Sequence, residues 1–148
     1  MGEFARVLPG ATLTSDDPRL AYLVGRAVSE FPKRVAPIRS VRTVELKEKG
    51  DMEGLVGLTT YCCVRGAGDA KSPPEPAAQT ITIFSELLDQ ISDEAALGVL
   101  AHELAHAWLN EHASPEDSKE REDEADGLAR KWGYGRYIDA LAAQTEAL

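Results

Sequence analysis

Apolar positions along the chain change period twice. From Asp17-Pro18, residues Leu20, Leu23, Val24, Ala27, Val28 and Phe31 recur at three- and four-residue spacing and predict a helix that Pro32 stops. The period then shortens. VRTVELKEK from Val41 alternates apolar and polar residues, and LVGLTTYCCV from Leu55 is rich in β-branched and aromatic residues, so two strands joined by a turn at Gly50-Asp51 are predicted. The segment from Arg65 to Ala78, with three prolines and two glycines, reads as a loop, and QTITIF from Gln79 as a short third strand. After Ser85 the helical period returns and stays. Ser92 can N-cap a helix whose first turn carries Asp93 and Glu94, and Ser114-Pro115 followed by Glu116 and Asp117 starts another. Gly133 and Gly135 end that helix, and a last one begins near Arg136 with Ile138, Leu141 and Ala142.

Segregated strands and helices predict an α+β fold: a small sheet of three to four strands packed on the N-terminal helix and on the helix after Ser92. The 148 residues suffice for one domain, residues 1–148, and are short for two. Apolar content of 43% and charged content of 28% are those of an ordinary globular chain, and the net charge of −9, without a basic patch, argues against nucleic acid or anionic membrane as a partner. The only cysteines, Cys62 and Cys63, are adjacent, which disfavours an ordinary structural disulfide and points to a reducing, cytoplasmic location. They read as strand residues. No run of apolar residues reaches the length of a signal or a membrane span. Met1-Gly2 opens like a myristoylation site, but Arg6 stands where serine or threonine is required.

All three histidines lie in HELAHAWLNEH, residues 102–112, whose first five residues have the form H-E-x-x-H. On a helix His102 and His106 share one face, opposite an apolar stripe of Leu97, Ala101, Leu104 and Trp108, and both imidazoles can reach one zinc ion. Glu103 is rotated about 100° from His102, beside the metal rather than on it, where it can serve as general base toward a zinc-activated water.

Two residues compete as third ligand. His112 has the spacing of H-E-x-x-H-x-x-G-x-x-H, but Leu109 stands at the glycine position, no methionine follows the histidines, and an unbroken helix turns His112 toward the apolar stripe. The alternative lies in EREDEADGLARKWG from Glu120, where Glu122 and Asp126 share the face of Ala125, Leu128, Ala129 and Trp132. Carboxylates on a face that should be buried need a cation or donors. A zinc ion for Glu122 and an imidazole N–H for Asp126 supply both, so Glu122 is the preferred ligand, with Asp126 orienting a ligand histidine.

ITIFSELLDQISDEAALGVLAHELAHAW followed by EREDEADGLARKWGY, about half the chain, resembles the gluzincin zinc peptidases, in particular the peptidase domain of the CaaX-prenyl-endopeptidase and HtpX-like family. The resemblance implies a zincin-like fold, one zinc ion held by His102, His106 and Glu122, Glu103 as catalytic base, Asp126 behind a ligand, and an endopeptidase acting on a protein or peptide. It does not extend to that family's membrane spans. ImmA/IrrE-like repressor-cleaving peptidases, with H-E-x-x-H and E-x-x-A-x-x-x-A, are more distantly similar. Family members use a His, Arg or Tyr to stabilise the oxyanion, which makes Tyr137, Arg136, Tyr134 and Tyr61 candidates here. Strand QTITIF would line the cleft rim, where an extended peptide could add as a further strand. Two alternatives remain: a non-catalytic zinc-binding regulatory or interaction module, which would not need Glu103, and a repressor-cleaving regulatory peptidase.

Overall fold

The computed structural model describes residues 2–48, 57–62, 78–112 and 119–146. Six helices and four strands alternate as α1 (Gly2–Val7), β1 (Thr12–Leu13), α2 (Pro18–Ser29), β2 (Val41–Lys47), β3 (Gly57–Cys62), β4 (Ala78–Phe84), α3 (Ser85–Leu88), α4 (Asp93–His112), α5 (Lys119–Ala129) and α6 (Gly135–Glu146). The start signals act as expected where they are described. Asp17 accepts the Leu20 amide at 2.9 Å with Pro18 at the first helical position of α2, and Ser92 Oγ accepts the Ala95 amide at 3.3 Å to open α4. The turn expected at Gly50-Asp51, most of the Pro-rich loop, Cys63 and the start signal at Ser114-Pro115 lie outside the described residues. The periodicity did not predict α1 or β1, which are too short to show a period.

The sheet has the order β1-β2-β4-β3, with β1, β2 and β4 mutually parallel and β3 antiparallel to β4. This corrects the expected pairing: β2 and β3 are not neighbours, because β4 inserts between them. Local turn chemistry pointed to a hairpin, but β2 ends at Lys47 and β3 begins only at Gly57, a separation longer than the roughly two to five residues of a hairpin loop. β4, buried without interruption from Ile81 to Phe84, lies inside the sheet, where both faces are covered. A peptide therefore cannot add to QTITIF, whose two edges are both occupied, and β3 is the outermost strand on that side among the described residues.

Helix α4 is the axis of the core. Its apolar stripe was expected to face inward with the histidines on an outer half, but Ala95 to Ala101 are all buried, as are Glu103, Leu104, Ala105 and Ala107. The helix packs against α2, α5, α6, β3 and β4, which cover its middle on every side. Five alanines and Gly98 keep it thin enough for such crowding. At Gly98 a Cβ would run into the Tyr137 carbonyl oxygen of α6 and lie 3.1 Å from Leu141 Cβ. Leu20, Leu23, Val24 and Ala27 of α2, Val41 and Val44 of β2, and Ile81 and Ile83 of β4 join α4 in one buried cluster. Between α5 and α6 the chain makes a π turn, Arg130–Tyr134, in which Gly133 adopts φ 104°, a conformation that suits glycine. No helix among the described residues is long and apolar enough to cross a membrane.

Candidate metal centre

His106 follows His102 by four positions, so one turn of α4 carries both rings, with centroids 4.5 Å apart and planes near perpendicular. Their side chains are only 16% and 13% exposed, set among the alanines of the helix. Helix α5 lies across α4 and brings a second turn to face this one. Glu122 Oε2 stands 2.7 Å from His102 Nε2 and 2.9 Å from His106 Nε2, and Asp126 Oδ1 stands 2.6 Å from His102 Nδ1. One ligand atom each from His102, His106 and Glu122 lies within 4.8 Å of the others.

Proton counting tests whether a cation fits. An ionised carboxylate only accepts, so His102 Nδ1–H donates to Asp126, and neutral His102 then has only a lone pair facing Glu122. His106 can donate to Glu122 Oε2 as a neutral Nε2–H tautomer, but His102 Nε2 can do so only if its ring is charged. A metal ion among the three atoms removes the conflict, and two neutral imidazoles with a carboxylate are a donor set suited to zinc, with one position left open. The surrounding carboxylates favour positive charge at the cluster, whether carried by a proton or a cation. Burial works against charge on His102, but the nearby carboxylates of Glu103, Asp126 and Glu122 outweigh it and raise its pKa. Partial burial likewise opposes ionisation of Glu122, yet His106 and His102 hold its pKa below the ordinary value.

The expected ground for choosing Glu122 needs correction. Its side chain is 52% exposed and that of Asp126 is 47% exposed, so neither is a buried carboxylate in want of a cation. The inward face of α5 is instead Arg121, Ala125, Ala129 and then Trp132, about one position round from the pattern read on the helical wheel. What joins Glu122 to the histidines is the approach of α5 to α4, which no single-helix pattern contains. Arg121, 5% exposed, gave no signal in the sequence. His112 ends α4, stacks on Trp108 with centroids 3.9 Å apart, and pairs through Nδ1 with the Trp108 carbonyl at 2.9 Å, outside the group of three.

Glu103 is 4% exposed, next to His102 on the chain and close enough to be the largest carboxylate influence raising the His102 pKa. The three C-terminal residues considered for the oxyanion all turn toward α2. The Tyr134 hydroxyl donates to the Ala27 carbonyl at 2.6 Å, and burial pushes its pKa up, which keeps it a donor. Tyr137 donates to Glu30 at 2.8 Å and accepts from Arg136 at 2.6 Å. The structure does not bring these groups to His102, His106 and Glu122. Tyr61 falls on β3, with its side chain outside the described set.

Residues 76–120 match the model of peptidase family M48. No curated protein and no solved structure matches the chain. The matched segment runs from the start of β4 through α4 and supports a zinc metallopeptidase in general terms. It stops two residues before Glu122, so the third member of the group rests on geometry alone.

Proposed function

We propose that the chain is a single-domain, zinc-dependent endopeptidase in which His102, His106 and Glu122 hold the metal and Glu103 is the general base. One observation carries this reading: three ligand atoms from two helices converge within 4.8 Å beside a buried glutamate. Bound there, zinc would supply the Lewis acid that polarises a peptide carbonyl and activates water. Glu103 takes the proton from the attacking water and returns it to the leaving amine. Asp126 holds the tautomer of His102 that leaves Nε2 free for the metal. An extended peptide would add at β3, the outermost strand on that side among the described residues, which packs against α4. The resemblance of the C-terminal half to CaaX-prenyl-endopeptidase-like and HtpX-like domains supports the same reading.

The test is hydrolysis of a peptide library by the zinc-loaded protein and by Glu103→Gln. Glu103→Gln should retain zinc and lose about 10²- to 10⁴-fold in kcat, the usual contribution of a positioned acid–base group. Equal rates in the two proteins would refute the enzyme and leave a zinc-binding module. In the same preparations Glu122→Ala should lose zinc and His112→Ala should keep it; the opposite result would overturn the ligand set.

A further inference from the structure

QTITIF carries a polar residue in an apolar register. Gln79, Ile81 and Ile83 have the same parity along β4 and all are buried, with Gln79 1% exposed. Burying an amide costs unless its donors and acceptor are matched, and here they are. Gln79 Nε2 donates to Ser40 Oγ at 2.6 Å and to the Ala107 carbonyl at 3.0 Å, while Oε1 accepts from Asn110 Nδ2 at 2.9 Å. The orientation of the amide is fixed, since a carbonyl can only accept. Glu111 adds a longer contact, accepting the Ser40 amide at 3.4 Å. A buried side chain of the sheet thus grips the backbone and one side chain of the last turns of α4, starting at the residue after His106.

The two metal-facing histidines are supported differently. Asp126 orients the His102 ring through Nδ1, whereas among the described residues every hydrogen bond of His106 is made at Nε2. A ligand histidine without a partner on its far nitrogen takes its aim from its backbone and packing. The backbone beside His106 is the one Gln79 holds. We propose that Gln79 is a positioning residue for the metal centre, fixing the rotation and depth of α4 at His106 as Asp126 fixes the ring of His102. This inference rests on the metal-centre reading above. A ligand set tolerates only about 0.5 Å of error, so loosening this latch should act on metal geometry before it unfolds the protein.

Gln79→Met keeps the length of the side chain and removes its hydrogen bonds. The control is Arg19→Met, which deletes an equally dense set at the other end of α4: bonds to the Leu88 carbonyl at 2.6 Å, the Ile91 carbonyl at 2.7 Å and Asp93 at 3.0 Å. Each protein is titrated with Co²⁺, whose visible absorption reports coordination geometry, and its Tm is measured. Gln79→Met should bind Co²⁺ about ten-fold more weakly than wild type, the lower end of the usual cost of losing support behind a ligand, with displaced absorption bands. Arg19→Met should lower Tm and leave affinity and bands as in wild type. An unchanged spectrum and affinity in Gln79→Met, or equal losses in both variants, would overturn the proposal. If Gln79→Met does not fold, Asn110→Ala decides, since it removes one of the three bonds and should shift the bands in the same direction; no shift overturns the latch. Metal binding without hydrolysis in wild type would refute the peptidase alone, and no metal binding would refute both.

Discussion

Helices α4 and α5 each give two residues to one cluster and are built on opposite principles. α4 is apolar and buried from Ala95 to Ala101 and at Glu103, Leu104, Ala105 and Ala107, with His102 and His106 partly exposed among alanines. α5 carries acids at Glu120, Glu122, Asp123, Glu124 and Asp126, and it reaches the core mainly through Ala125 and Ala129. The difference divides the work of a metal site. A ligand pair on a helix locked into the core holds its positions without metal, while a ligand on a half-exposed helix can be drawn in by charge. In the proposed metal site the rigid half would supply geometry and the acidic half affinity.

Substitution of the two helix glycines should separate the halves most sharply. At Gly98 a methyl group meets the backbone of α6, which cannot yield as a side chain can, so Gly98→Ala should destabilise the protein by about 3 kcal/mol in denaturant unfolding. A neutral Gly98→Ala would mean that α4 is not tightly packed. Next in size is Asp126→Asn, which keeps the shape and removes the charge opposite His102 Nδ1. It should weaken zinc about 10- to 100-fold in a competition titration while leaving the unfolding midpoint of the metal-free protein close to wild type.

A smaller effect is expected from pH in the metal-free protein. The raised pKa of His102 gives stability that is fully present below the ordinary histidine value of 6.5 and lost as pH rises through the folded value. The lowered pKa of Glu122 gives stability present above the ordinary carboxylate value of 4.5 and lost as pH falls through the folded value. Thermal unfolding in chelator should therefore peak between the two ordinary values, and Glu122→Gln should flatten the profile on both sides. A profile unaffected by that substitution would detach α5 from the histidines. The smallest effect has the opposite sign to Gly98→Ala. A Cβ at Gly127 on α5 meets nothing within 4 Å, so Gly127→Ala should stabilise the protein by about 0.5–1 kcal/mol through backbone entropy alone.

The same contrast governs what could be read from the chain. The residues of α4 that face the cluster were legible because one turn of helix fixes their spacing, and Asp17 and Ser92 were legible as caps because capping is local. The wheel misjudged the environment of α4, since a period reports one apolar stripe and cannot show that α6, β3 and β4 also cover the helix. Glu122 and Asp126 were found through their neighbours in sequence, although the burial argument behind them fails at side-chain exposures of 52% and 47%. Gln79 had a faint signal, an amide in the inward register of an apolar strand, whose meaning depends on the carbonyl it meets.

By itself the sequence determined the helices with strong caps and periods, the three longer strands, and the pair of histidines with a glutamate between them. All of these follow from interactions within a few residues. Only the tertiary structure decided that β4 lies between β2 and β3, that α4 is enclosed, and how α5 approaches α4 to bring Glu122, already preferred to His112 in the sequence, against the pair. Strand order and helix crossings are set by which apolar faces can be buried together, a property of the whole chain that no local pattern carries.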